Sequence, residues 1–230
     1  MLILSFDTST DFCTVAAGIA GKVLAEENVF APRSHAEKLL PLIDAVLKKA
    51  SLTLDELEVI AVGLGPGSFT GVRIGVSTAR ALAQALDKPV IGISSLDALA
   101  YTNNEGMISP VVEARKNEVY FSVYKREKND LERLTEYLVA TPDDCANQLK
   151  QYPGTLLTGD ALGTYGQFFE ENLSPSYKFA PASDWFPRAS HLLSLAHQRH
   201  EEARDLFEIK PIYLRRPAAE VPGSSALGHV

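Results

Sequence analysis

Residues 64–86 read L-G-P-G-S-F-T-G-V-R-I-G-V-S-T-A-R-A-L-A-Q-A-L, and the run before them, E-V-I-A-V-G-L from Glu58 to Leu64, is apolar and of strand length. The chain therefore leaves a buried strand, makes a Gly-Pro-Gly turn and enters a helix. Gly65 and Gly67 allow another backbone or an anion to come close, Pro66 fixes the turn, and Ser68 or Thr70 can cap the first free N–H groups. Such a helix start favours negative charge, so Gly65, Gly67 and Ser68 are candidate phosphate-facing residues. Within the helix, Gly71, Gly75, Ala79 and Ala83 recur every four residues and leave one ridge almost bare, with Val72, Val76 and Leu86 beside it. Two helical glycines cost roughly 1 kcal/mol each against alanine, and close packing is what offsets such a cost. The pattern leaves open whether that packing is internal or against another chain.

The 230 residues, 46% of them hydrophobic, suffice for one large domain or two small ones. A net charge of −7 and a pI near 5.3 argue against nucleic-acid binding through the chain's own basic surface. Cys13 and Cys145 show no metal or redox spacing and read as buried thiols. No signal peptide or run of eighteen apolar residues is present, so the expectation is a cytoplasmic protein without membrane contact.

At the N-terminal end, Leu2–Thr8, Phe12–Ala20 and Val23–Phe30 read as a three-stranded meander. Asp7, Thr8 and Ser9 at the first turn can hold a metal-bound water or contact phosphate, or can form an Asx turn; the local pattern favours the turn. Ser34 with Glu37 forms a capping box, and Ala36, Leu39, Leu40, Ile43, Val46, Leu47 and Ala50 share a helix face. Pro41 should bend that helix. His35 reads as a solvated or cap-adjacent residue.

Lys88–Ile93 is a further strand, Ser94 or Ser95 starts a short helix, and T-N-N-E-G at 102–106 is the expected boundary between units 1–105 and 106–217. In the second unit 107–113 and 118–125 form a hairpin through Arg115-Lys116-Asn117, and 131–139 supplies another strand. Helices follow at 142–151, 161–172 and 189–204, with a strand at 155–158. This order of strands before helices echoes the first half and suggests a duplicated α/β fold. His191, His197 and His200 lie on the last helix; His197 and His200 share one face, no third ligand is placed with that pair, and the residues read as a solvated face. Residues 218–230, rich in Pro, Gly, Ser and Ala, read as a disordered tail.

No H-E-x-x-H, nucleophile elbow, Walker lysine or Cys/His framework occurs. Two classes compete on residues alone: a phosphate-binding α/β enzyme, and a non-catalytic subunit that keeps the architecture. The bare helix ridge tilts the balance to the second.

Taken together, I-L-S-F-D-T-S-T, S-H-A-E-K-L-L-P, G-L-G-P-G-S-F-T-G-V-R-I-G, K-P-V-I-G-I-S-S-L, E-A-R-K-N-E-V-Y and P-I-Y-L-R resemble the TsaB (YeaZ) family of the bacterial tRNA threonylcarbamoyladenosine system. The resemblance spans about Leu2 to Arg215. It implies the actin-like, sugar-kinase and Hsp70 ATPase (ASKHA) fold, with two related α/β subdomains and mixed sheets. The larger paralogue, TsaD, carries a metal-binding H-x-x-x-H where this chain has Ser95 and Leu99, so the resemblance implies no metal here. Where D-A-R is expected at the hairpin, this chain has Glu113-Ala114-Arg115.

The resemblance further implies a non-catalytic scaffold with no cofactor required by this chain and ATP or ADP bound, if at all, together with partner subunits. The partners it implies are a TsaD-like catalytic subunit, a TsaE-like ATPase, and tRNA reached indirectly through the complex. That complex places a threonylcarbamoyl group on N6 of adenosine 37 in tRNAs reading ANN codons. Pairing with the TsaD-like subunit runs through the helices at 34–50 and 70–86, so the implied partner-binding residues are Ser34, His35, Leu39, Leu40, Ile43, Leu47, Gly71, Val72, Gly75, Val76, Ala79 and Ala83. Alone, the same face would form a homodimer. The alternative is a stand-alone ATP-dependent phosphotransferase with Asp7 near a metal and Gly65–Ser68 near phosphate. Local help to tRNA would come from Lys210, Arg215 and Arg216.

Overall fold

The computed structural model describes residues 1–128 and 130–214. Strands β1 (Leu2–Asp7), β2 (Phe12–Ile19) and β3 (Lys22–Phe30) form the expected antiparallel meander. Helix α1 (His35–Ala50) returns the chain to β4 (Val59–Gly63), which lies parallel to β1, and α2 (Phe69–Leu86) leads to β5 (Val90–Ile93), parallel to β4. The sheet order is β3-β2-β1-β4-β5. β1 and β4 are buried at every position, as central strands covered on both faces are, and β1 carries Ser5 and Asp7 among its apolar residues.

A short helix, α3 (Ser95–Ala100), then carries the chain to a second sheet. Its strands are β6 (Gly106–Ala114), β7 (Glu118–Phe121), β8 (Tyr124–Glu127), β9 (Asp130–Arg133), β10 (Leu138–Ala140), β11 (Leu156–Thr158) and β12 (Lys178–Phe179), with α4 (Pro142–Leu149) and α5 (Ala161–Asn172) packed on it. Lys116 and Asn117 take positive φ at the tip of the β6–β7 hairpin, the conformation a tight primed turn needs.

Three expectations on the elements change. The segment 118–125 is two strands: Ser122 and Val123 turn inward and bond Thr135, so β7 pairs with the far half of β6 and β8 with its near half. The strand expected at 131–139 is likewise split into β9 and β10. Helix α6 (Ala189–Gln198) ends six residues before Arg204, in a short 3-10 turn at His200–Glu202.

The expected unit 106–217 does not stay with the second sheet. Leu192, Leu193, Leu195 and Ala196 of α6 pack on Ile3, Ala16, Ala61 and Ile91 of the first sheet. Beyond α6, Arg204 bridges Val90, and Ile209 joins the core under α1 and α2. The first sheet is thus sandwiched between α1/α2 on one face and α6 on the other.

Candidate functional site

Asp7 ends β1, where the strand delivers it between β2 and β4, and is 1% exposed. Its Oδ1 accepts the Ser9 backbone N–H at 2.6 Å, an Asx turn, and its Oδ2 accepts the Ser95 hydroxyl at 2.6 Å. Ser95 in turn accepts the Gly65 N–H at 3.1 Å and donates its own N–H to the Gly65 carbonyl at 2.8 Å. Burial pushes the Asp7 carboxyl above the usual carboxylate range, while the Ser9 and Ser95 hydrogen bonds pull it back.

The candidate phosphate-facing residues do converge, and they converge on one another. The Ser9 carbonyl accepts the Ser68 N–H at 2.7 Å, and a Cβ on Gly67 would clash with that carbonyl. Thr8 donates its hydroxyl to the Gly71 carbonyl at 2.7 Å, and Ser68 caps α2 by accepting the Gly71 N–H at 3.2 Å. The N–H groups of Gly65, Ser68 and Gly71 that a phosphate would use are therefore engaged within the chain. On the second sheet's side, Asp160, just before α5, accepts the Glu113 N–H at 2.8 Å. Burial, reinforced by Glu113 and Asp11, pushes Asp160 up to about 6.

The helix pair turns most of the residues expected at the partner towards the chain's own sheet. Leu39, Ile43 and Leu47 of α1 and Val72, Val76, Ala79 and Ala83 of α2 are buried against Leu4, Phe6, Ile60 and Val62 of the first sheet. The bare ridge faces inward too: a Cβ at Gly71 would clash with the Thr8 carbonyl, and one at Gly75 would lie 2.6 Å from the Thr8 hydroxyl. These glycines admit the β1–β2 loop of their own chain. Ser34 starts α1 without a side-chain cap bond, so the capping box does not form. His35 is buried rather than solvated, because its Nε2 meets the Thr10 carbonyl at 2.7 Å. Ala36 lies exposed, outside the apolar face.

What the pair leaves outside is different. Leu40 is 55% exposed and Leu54 38%, and with Ile43, Leu47, Leu52 and Leu82 they line an apolar groove of about 390 Å³ between α1 and α2. The chain after α6 runs past the start of α2, where the Ile212 N–H donates to the Leu64 carbonyl at 2.8 Å and Arg73 donates to the Tyr213 hydroxyl at 3.0 Å. The P-I-Y-L-R motif flagged this strap, but its place on α2 could not be read from it.

Among the described residues no group of three His, Cys, Asp or Glu side chains could hold a metal ion. Leu99 is buried among Leu96, Ile108, Val112 and Tyr124. His191 and His197 do not form a solvated face: His191 bonds the Ala98 carbonyl at 3.0 Å, with burial lowering its pKa, and the His197 ring packs against Gly21. Cys13 and Cys145 are buried free thiols, and burial pushes Cys13 up to about 12. Lys210 is exposed, whereas Arg215, Arg216 and the tail 218–230 lie outside the described residues.

Residues 29–222 match the family model described as TsaD: tRNA N6-adenosine threonylcarbamoyltransferase. The chain is 36% identical to the tRNA threonylcarbamoyladenosine biosynthesis protein TsaB of Haemophilus influenzae, over 97% of this chain and 98% of that one. In structure it is similar to YeaZ from Pseudomonas aeruginosa, with a TM-score of 0.77, 31% identity and coverage of 93% and 99% of the two chains. At 11% identity and a TM-score of 0.51, over 93% of this chain and 100% of the other, the ADPNP-bound activator of 2-hydroxyisocaproyl-CoA dehydratase from Clostridium difficile shares the fold alone. The two-sheet α/β architecture is the ASKHA fold, and the chain belongs to the TsaB family within the wider TsaD family.

Proposed function

We propose that this chain is a non-catalytic subunit of the machinery that makes threonylcarbamoyladenosine in tRNA, and that it acts by docking a TsaD-like catalytic paralogue on the outer face of α1 and α2. The observation that carries this reading is the exposed apolar groove around Leu40 on the outer side of the helix pair. The helix pair is the one the family resemblance assigns to the partner, and on this reading Leu40 and Leu82 of the helices and Leu54 of the following loop would meet it rather than the glycine ridge. Alone, the same groove would be covered by a second copy of the chain. A TsaE-like ATPase would join the pair, and tRNA would be reached through the complex, in the cytoplasm.

The β1–α2 cluster supports the non-catalytic half of the reading. In a phosphotransferase Asp7 would have to offer an oxygen to a metal or its water, and here both oxygens accept bonds inside the chain. A triphosphate would likewise have to displace Ser9 from the Ser68 N–H. On this reading the chain needs no cofactor of its own, and nucleotide enters only with the partners. No helix among the described residues is long and apolar enough to cross a membrane.

Reconstitution tests the proposal. Threonylcarbamoyl transfer to tRNA by the TsaD-like and TsaE-like proteins should require this chain, and the Asp7→Asn variant should support it as well as the wild type. ATP turnover by the isolated chain, abolished by Asp7→Asn, would instead establish the phosphotransferase.

A further inference from the structure

The sheets are joined by two crossings of the chain, at residues 101–105 and 180–188, and a fold of this shape bends where such crossings lie. Beside the first crossing stands Asp97 of α3, only 5% exposed, and its carboxylate gathers donors from both sides. From the second sheet, Oδ1 accepts the Tyr124 hydroxyl of β8 at 2.8 Å and the Tyr137 hydroxyl, from the turn between β9 and β10, at 2.9 Å. From the first-sheet side, Oδ2 accepts Arg199 Nη1 at 2.8 Å, where α6 ends.

The surroundings hold these donors in place. Arg133 lies 4.1 Å over the Tyr137 ring, and Tyr124 is packed with Leu96, Leu99, Ile108 and Val112. Arg126 of β8 stacks 3.9 Å over Tyr101 and donates to the Thr102 carbonyl at 3.3 Å, while Gln198 of α6 donates to the Tyr101 hydroxyl at 2.8 Å. A relative rotation of the sheets would carry Tyr124 and Tyr137 away from Arg199. The buried carboxylate would then lose a charged hydrogen bond on one side or the other, which is among the costlier losses available to a protein.

We propose that Asp97 is a pin that fixes the two sheets in one relative orientation, so that the protein presents its surfaces as a rigid body and does not bend at the two crossings between them. The inference stands apart from the proposed function, since it concerns the isolated chain.

Distance measurement between spin labels at Lys22→Cys on the first sheet and Gln167→Cys on α5 tests it, with the buried Cys13 and Cys145 left unlabelled. Labelled chain is diluted in unlabelled chain so that only intramolecular distances are read. The wild-type background should give a single narrow distribution. Asp97→Asn, which keeps the volume and removes the charge, should raise any open population on the order of 30-fold and broaden the distribution. If Asp97→Asn does not fold, the double variant Tyr137→Phe/Arg199→Met, which removes two donors at partly exposed positions, should broaden it in the same way. A broad or two-peaked distribution in the wild-type background overturns the pin, and so does an unchanged narrow one in every folded variant.

Discussion

Leu39 and Leu40 are neighbours on α1 with the same side chain, yet Leu39 is 1% exposed and Leu40 is 55% exposed. The same division runs through α2, where the small residues Gly71, Gly75, Ala79 and Ala83 face the sheet while Leu82 lines the outer groove. One side of the helix pair holds the fold together, and the other is the side we propose docks a partner. Apolar character alone does not separate the two roles. What separates them is whether a strand or loop of the same chain already fills the space.

The division can be broken most forcefully from the inside. Gly71→Val sets a branched Cβ against the Thr8 carbonyl and should cost more than about 3 kcal/mol, a large fraction of a typical domain's stability. Leu39→Ala should cost about 3 kcal/mol through the cavity it opens, whereas Leu40→Ala should stay within about 0.5 kcal/mol of wild type. Denaturant titration of the three variants reads all three values. Equal losses for Leu39→Ala and Leu40→Ala would erase the distinction between the faces.

An effect of opposite sign, away from both faces, sharpens the comparison. Asp160 has its folded pKa raised to about 6 from 3.8, so the folded state binds more protons between those values and stability falls as pH rises from about 4 to about 6. Asp160→Asn removes the charge and keeps an acceptor for the Glu113 N–H. It should flatten that part of the stability profile and raise stability at pH 7 by as much as about 3 kcal/mol, without altering partner binding. Stability curves measured across this pH range check the sign.

Much of the architecture is written in local pattern. The meander, the Gly-Pro-Gly turn, the Ser68 cap and both long helices follow from period and turn chemistry, because nearest neighbours along the chain determine them. The direction of the glycine ridge does not. Periodicity marks a bare face, but Thr8, sixty-three residues from Gly71, decides what it meets. His35 looked solvated because nothing local reveals the Thr10 carbonyl waiting for it. The break between β7 and β8 escaped for a related reason: Ser122 and Val123 continue a strand-like sequence, and only the bonds to Thr135 turn them inward. Asp97 carried no motif at all, since its donors come from three distant segments.

The most direct test of the account is a binding titration between this chain and the TsaD-like subunit of its own organism, comparing wild type with Leu40→Glu. Leu40→Glu places a charge on the wall of the outer groove without entering the core, so it should leave stability near wild type and weaken the complex on the order of 30-fold or more. Wild-type affinity in a folded Leu40→Glu variant would contradict the assignment of this face to the partner.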